Sequence, residues 1–391
     1  MALGLVVCPV PSAEAQTTTE VVITWNRVIQ VAVGTPGAQP ATIFFPRAYA
    51  MAHVAMFDAI NSIEPRYVPY FVRVNAPPGA SPDAAVAQAA YDVLVALMPS
   101  QRAAFDTALA ATMSSLSPAA AADGAAVGAA VAREILELRR HDGWTRVPPQ
   151  YILPNLPGYW QPTPPNNPTA TFTHYPDVVP FGVDGGSQEF VPEAPPALTS
   201  ARYAQDFNEV KALGGVTSTA RTAEQTFVAR LISGVGTETS PAIVWNNVAR
   251  DVARSQGLSG IETARLFALL TMAVHDGLRV TFNGKFLYGL WRPATAIRNA
   301  DRDGNPDTEA DPTWLSLITT PPYPAYPGNL ACIGTVGSRV LTRVLGRDDI
   351  PFTVNWAETG GPGWTRSYNG FRHFGDETAK GRIWAGLHFE F

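Results

Sequence analysis

The chain has 391 residues, 46% of them hydrophobic and 16% charged, with a formal net charge of −5 and an isoelectric point near 5.7. That is apolar material for a large core in one or two helical bundles, and the mild acidity excludes the basic face that binding a nucleic-acid backbone requires. No apolar run approaches the ~20 residues needed to cross a bilayer, and Cys8 and Cys332, far apart in sequence, support neither a disulfide framework nor a structural zinc site.

The first residues, MALGLVVCPVPSAEAQ, combine a short apolar run with Ala13-Glu14-Ala15, a small-x-small sequence of the kind signal peptidase cuts. Residues 1–20 therefore read as an export signal or a disordered start, which predicts a periplasmic or extracellular protein whose mature form begins near Gln16. An N-terminal helical half follows over residues 21–145. In FPRAYAMAHVAMFDAINSI, apolar residues recur at three- and four-residue steps, as in a largely buried helix. DAAVAQAAYDVLVALM and QRAAFDTALAATMSSL continue in the same style, and Ser117-Pro118 marks the start of a helix running to about Arg140.

Between residues 146 and 198 the texture changes to proline, asparagine, threonine and aromatics, and so many prolines cannot sit in helix interiors. Tyr159, Trp160, Phe172, Phe181 and Phe190 offer much to bury, so the segment reads as a long ordered loop covering the mouth of a site. Helices resume over 199–391 with SARYAQDFNEVKAL, RTAEQTFVARLI and SPAIVWNNVARDVARS, and Ser259 to Glu262 forms a capping box that opens another helix. Asp301, Asp303, Asn305, Asp307 and Glu309 resemble a calcium loop, but Pro306 and Pro312 stand where an EF-hand needs glycine and glutamate, so a solvated acidic turn is expected. There is no HExxH, GxSxG or P-loop motif. Asp58 and Asp276 read as buried acids with salt-bridge or capping duties.

The chemistry concentrates near the C-terminus, in Lys285-x6-Arg292-Pro293, in YPGNLACIG from Tyr326, and in GRIWAGLH ending at His388. Arg292 and Arg382 are planar forks suited to phosphate-like oxygens, and Lys285 adds a compact charge. On one helix Lys285 and Arg292 would share a face two turns apart, roughly 10 Å along the axis. Gly328, Asn329 and Leu330 lead into a helix whose first amides and dipole favour an anion.

With these blocks in view, the sequence resembles the bacterial vanadium-dependent haloperoxidases, the soluble branch of the type 2 phosphatidic acid phosphatase superfamily, over most of its length. That family's signature is K-x6-R-P, P-S-G-H and S-R-x3-G-x-H. The first block is intact, the third departs only at Gly381, and the middle block reads Gly328-Asn329-Leu330. The resemblance implies an all-α fold of helical bundles, with vanadate as cofactor and phosphate as a competing anion. It also implies small-molecule substrates, either peroxide and halide or a phosphoester. It makes His388 the vanadium ligand or phosphatase nucleophile, approached past Gly386. Lys285, Arg292, Arg382, Gly328 and Asn329 become the oxyanion cradle.

The middle block sets the expectation for activity. Gly328 lacks the hydroxyl that bonds an equatorial oxygen in the family but keeps its backbone amide. Asn329 replaces a glycine and tolerates a left-handed backbone. Leu330 stands at the general acid/base histidine, a role worth about 10²–10⁴-fold in rate that leucine cannot fill. His275 and His373 are the remaining candidates for rescue. The readings left open are an impaired haloperoxidase, an acid-phosphatase-type hydrolase, and an inactive oxyanion-binding relative.

Overall fold

The structure, a computed structural model, describes residues 13–37, 45–183, 190–233, 240–356 and 364–391. Residues 1–12 of the expected export segment, with Cys8, lie outside them. Among the described residues there are twelve α-helices and a single two-stranded ladder, so the fold is all-α. No described helix is long and apolar enough to cross a membrane.

Two units make up the chain, Met1–Arg140 with Asn246–Thr271 and His141–Trp245 with Met272–Phe391. The consecutive segments read from sequence differ from these units, because each unit is assembled from two stretches of chain.

The first unit holds α1 (Ala13–Gly34), α2 (Phe45–Ile63), α3 (Pro82–Leu97), α4 (Arg102–Met113) and α5 (Pro118–Leu138), with later parts of the chain from α8 (Pro241–Ser255) and α9 (Gly260–Tyr288). Helix α1 begins within the small-x-small sequence. Pro118 occupies the first turn of α5 behind Ser117, as expected, although the Ser117 hydroxyl caps nothing. Alanine-rich faces let α3 and α5 pack closely. Asp58 accepts from the backbone N–H groups of Tyr70, Phe71 and Val72 at 2.6, 2.8 and 2.9 Å, holding the strand-like run after α2 onto that helix.

The second unit holds α6 (Ala201–Gly214), α7 (Ala223–Ile232), the end of α9, α10 (Pro293–Arg298), α11 (Asn329–Leu345) and α12 (Phe371–Trp384). Strands β1 (Phe352–Asn355) and β2 (Thr365–Tyr368) pair antiparallel before α12; neither was legible as a strand. At the start of α9, in the first unit, Glu262 accepts from the Ser259 N–H at 3.0 Å, but the Ser259 hydroxyl donates to the same carboxylate, so the capping box is half formed. The acidic turn is not solvated throughout. Asp303 and Asn305 are each 6% exposed, Asp303 accepts from the Asn305 N–H and the Thr308 hydroxyl, and the Asn305 amide donates to Leu198 and Ser200 carbonyls.

The proline-rich segment is ordered over its described part because it is tied to α9 and the turn beyond it. Arg279 Nε donates to the Val178 carbonyl at 2.7 Å, Trp160 N–H to Gly289, and Trp291 N–H to Gly158. Trp160 and Phe181 are buried, whereas Tyr159 and Phe190 stay 40% and 47% exposed. Asp276 repeats the role of Asp58, accepting from the Phe181, Gly182 and Val183 N–H groups at 2.8, 2.7 and 3.1 Å.

Burial alone would raise the Asp276 carboxyl, but His275 and those amides outweigh it and hold the group below its ordinary range. Its contribution is therefore full above about pH 4 and is lost as pH falls through the lowered folded value. Asp276→Asn keeps the shape and removes the charge, and should cost about 2 kcal/mol at neutral pH. Chemical denaturation from pH 7 to pH 3 checks this: the parent should lose its advantage over the variant as the pH falls, and a constant difference would contradict it.

Candidate functional site

Three elements bring the predicted cations together. Lys285 sits in the last turn of α9, Arg292 precedes the first residue of α10, and Arg382 lies near the end of α12. The shared helical face expected for Lys285 and Arg292 is corrected: α9 stops at Tyr288, Gly289 turns left-handed at φ +59, and Arg292 is extended at φ −81, ψ 153. Two local rules break the helix. Glycine accepts the left-handed C-terminal turn without a Cβ penalty, and Pro293 drives the residue before it out of the α region.

Lys285 and Arg292 have no exposed surface, and Arg382 and His388 have 6% and 8%. None of the three cations forms an ion pair among the described residues, although Asp376 and Glu390 line the same cavity as Arg382 and His388. For Lys285 and Arg292 the compensation comes from backbone. Lys285 Nζ donates to the carbonyls of Pro324, Ala325 and Pro327. Arg292 Nε donates to Tyr323 at 2.7 Å and Nη1 to Leu387 at 2.9 Å, and the ring of Tyr323 lies 5.0 Å from the guanidinium carbon.

The segment PPYPAYP thus supplies a belt of carbonyls, which sequence reasoning missed as functional. Its signal was the proline density: a proline has a carbonyl and no N–H, so such a run carries surplus acceptors.

Dipoles do not discharge the site. Burial pulls Arg292 down to about 9 and Arg382 to about 10. Burial, then Arg292 and Arg382, hold Lys285 well below its ordinary value. His388 is also held well below its ordinary value, first by burial and then by Arg292, Lys285 and Arg382, against an opposing backbone bond to Ala325. It is therefore a neutral imidazole near pH 7, with Nε2 at 3.3 Å from Arg292 Nη1. Arg292 Nη2 and Arg382 Nε are buried donors without a hydrogen-bond partner. Surplus positive charge, orphaned guanidinium donors and a neutral imidazole together suit a tetrahedral oxyanion.

Gly328 caps α11 in an extended conformation at φ −78, ψ 118, and contributes no side-chain cap. A Cβ placed there would stand 3.5 Å from Ala331 Cβ and 3.6 Å from His388 Nδ1, ordinary contacts, so the cradle has room for a side chain. Asn329 is the first residue of α11 and has no positive φ, which corrects the left-handed expectation. Its carboxamide is buried and has no hydrogen-bond partner. Leu330 follows, half-buried, in the same first turn.

Neither alternative histidine replaces it. His275 is buried with Nδ1 3.0 Å from Asp276 and its ring against Phe181, and His373 is exposed at the edge of Tyr368. Gly386 does something other than clear the approach to His388. At φ +78 it lets the chain press against α6, where an added Cβ would meet the Gly214 carbonyl at 2.4 Å.

A cavity of about 260 Å³ opens onto this cluster, lined by Gly328, Arg382 and His388 together with the charged side chains Asp376, Lys380 and Glu390. None of the described residues that line it comes from the proline-rich segment, although the segment's Glu193 carbonyl accepts from the lining residue Tyr326 at 2.8 Å. That segment also backs the carbonyl belt, with Thr171 N–H donating to Pro322 and Phe172 packed against Tyr323.

Residues 265–391 match the family model for the second helical-bundle domain of vanadium chloroperoxidases, VCPO. Vanadium chloroperoxidase of Curvularia inaequalis is 33% identical over 103 residues, which is 24% of this chain and 16% of that protein. A bacterial vanadium-dependent iodoperoxidase superposes with a TM-score of 0.79 at 22% identity, over 98% of this chain and 92% of the other. A holo-type bacterial vanadium-dependent chloroperoxidase superposes at 0.70 and 16% identity, over 92% and 90%. The cation site lies inside the matched stretch, and these findings together make the chain a relative of the vanadium haloperoxidases, with their fold and, over residues 265–391, their second helical-bundle domain.

Proposed function

We propose that this protein binds vanadate at His388 and acts as a vanadium-dependent haloperoxidase slowed by the loss of its acid/base histidine. The observation that carries the reading is the burial of Lys285, Arg292 and Arg382 around a neutral imidazole, with none of the three in an ion pair among the described residues. Arg292 Nη2 and Arg382 Nε have donors to spare, and the first amides of α11, with its dipole, would favour the same anion. His388 would be the ligand, since a neutral imidazole offers a lone pair.

Bound vanadate would supply a Lewis-acidic centre that polarises hydrogen peroxide for attack by halide without changing oxidation state. Leu330 can neither take a proton from peroxide nor return one to a leaving oxygen. It therefore favours a second reading, an oxyanion-binding relative with no useful turnover. Hydrolysis of a phosphoester through His388 would lack its proton donor for the same reason. The reading includes export, supported by the apolar start and Ala13-Glu14-Ala15; N-terminal sequencing from the native host should find Gln16 first, and an intact Met1 contradicts it.

The test of turnover is halogenation of a monochlorodimedone-type acceptor with each halide, beside a generic phosphatase assay, with and without added vanadate. Vanadate-dependent halogenation supports the first reading. Its absence beside tight anion binding supports the second.

Gly328 is extended and has room for a side chain, and Asn329 is already helical, so Gly328→Ser with Leu330→His should fold without Asn329→Gly. Vanadate-dependent activity should rise at least ~10²-fold, the lower end of a general acid–base contribution. Leu330→His alone should recover a fraction of that gain. A double variant that folds, binds vanadate and remains as slow as the parent would place the defect outside this turn.

A further inference from the structure

We propose that Asp206, Glu209 and Glu390 form a binding site for a calcium ion, which clips the segment after His388 onto α6. The inference goes beyond the proposed function and does not depend on it.

Asp206 and Glu209 stand one turn apart on α6, and Glu390 comes from the segment that follows α12. Aromatic packing brings that segment in. Phe389 and Phe391 stack with ring centres 5.2 Å apart and lie 5.6 and 6.3 Å from the ring of Tyr203, on the same helix as the two acids. One carboxylate oxygen each from Asp206, Glu209 and Glu390 then falls within 4.8 Å of the others. Neither Asp206 nor Glu209 lines the cavity at His388; of the three, Glu390 alone borders it.

Acids drawn this close repel one another, and the described cations do not settle the charge. Arg202 Nε donates to Asp206 Oδ2 at 2.7 Å, but its Nη2 stands 3.8 Å from Glu390, beyond a hydrogen bond. Burial, then Glu390 and Asp206, hold the Glu209 carboxyl above its ordinary value in spite of Arg202 and Lys380.

The sign of a missing ligand is at Asp206, whose side chain is 1% exposed. Its Oδ2 accepts from Arg202 and, at 3.2 Å, from the Phe391 N–H. Its Oδ1 is buried with no hydrogen-bond partner. A charged oxygen sealed from water and left without a donor is costly, and this one belongs to the carboxylate on which the other two acids converge. A cation satisfies it where no donor does.

The donor set selects the ion. Carboxylate oxygens alone, with no imidazole or thiolate among them, suit a hard cation. At a bond length of about 2.4 Å a calcium ion spans oxygens up to ~4.8 Å apart, whereas magnesium at about 2.1 Å spans ~4.2 Å and demands octahedral geometry. Glu209 is half-buried and Glu390 exposed, so water can fill the remaining positions.

The test takes the whole protein, freed of divalent ions with a chelator and kept free of phosphate and vanadate, so that its outcome is separate from that of the anion reading. Calorimetric titration with calcium chloride should show a site that binds at least ~10-fold more tightly than magnesium chloride does. Glu209→Gln and Glu390→Gln should each weaken calcium at least ~10-fold, since affinity follows ligand charge. Asp301→Asn with Asp307→Asn, in the acidic turn, should leave it unchanged. No calcium heat in the parent, magnesium bound as tightly as calcium, or calcium binding that survives both glutamate variants would each overturn the proposal.

Amide hydrogen exchange on the parent decides the matter without any variant. Saturating calcium should slow exchange at Phe389, Glu390 and Phe391 at least ~10-fold, and Glu209→Gln should abolish that protection. Exchange at these residues that calcium leaves unchanged would overturn the proposal even if the glutamate variants fail to fold.

Discussion

Three cationic side chains buried in one pocket, two of them held by backbone carbonyls and none in an ion pair among the described residues, are the constraint on which the second unit turns. Desolvating an ion costs several kcal/mol even after a protein relaxes around it, and a fold bears that cost only where something is returned. A carboxylate would be the more effective neutraliser, but it would also extinguish the field. Carbonyl dipoles solvate Lys285 and Arg292 and leave their net charge standing. The proline-rich run, the turn at Gly289 and the docking of residues 141–183 on α9 can all be understood as support for that belt.

The same arrangement separates binding from turnover. The proposed anion binding would draw on charge, on orphaned guanidinium donors and on the first amides of α11, none of which depends on residue 330. Turnover needs a group that changes protonation state beside the anion, and in the first turn of α11 the side chains are Asn329, Leu330 and Ala331. His388 cannot serve as both ligand and proton shuttle, since the lone pair that binds is the one that would be protonated. On the proposed reading, the change in the middle block would remove turnover and leave binding.

Much of this was legible in the sequence because charge and helix periodicity are local signals. The cations, the imidazole, α2 to α9 and α11 in outline and the buried duties of Asp58 and Asp276 all follow from residue type and spacing, whereas α10 and α12 were not read as helices. What failed depended on context. Seven-residue spacing put Lys285 and Arg292 on one helix, but a glycine and a proline four residues apart divide that stretch. Helix α1 was hidden because its start resembles a signal sequence. Strands β1 and β2 are four residues each, too short to show a period of two. The half-buried acidic turn owes its burial to Leu198 and Ser200, about a hundred residues away, which no local pattern reports.

The most direct test of the account is calorimetric titration of vanadate, and separately of phosphate, into the unmodified protein, paired with thermal unfolding at millimolar anion. The account predicts one site with measurable heat for either anion and an unfolding temperature that rises with concentration, by about 2.7 kcal/mol of added stability at a hundred times the dissociation constant. No heat and no thermal shift with either anion would mean that the buried cations serve the fold alone, and the central claim would be wrong.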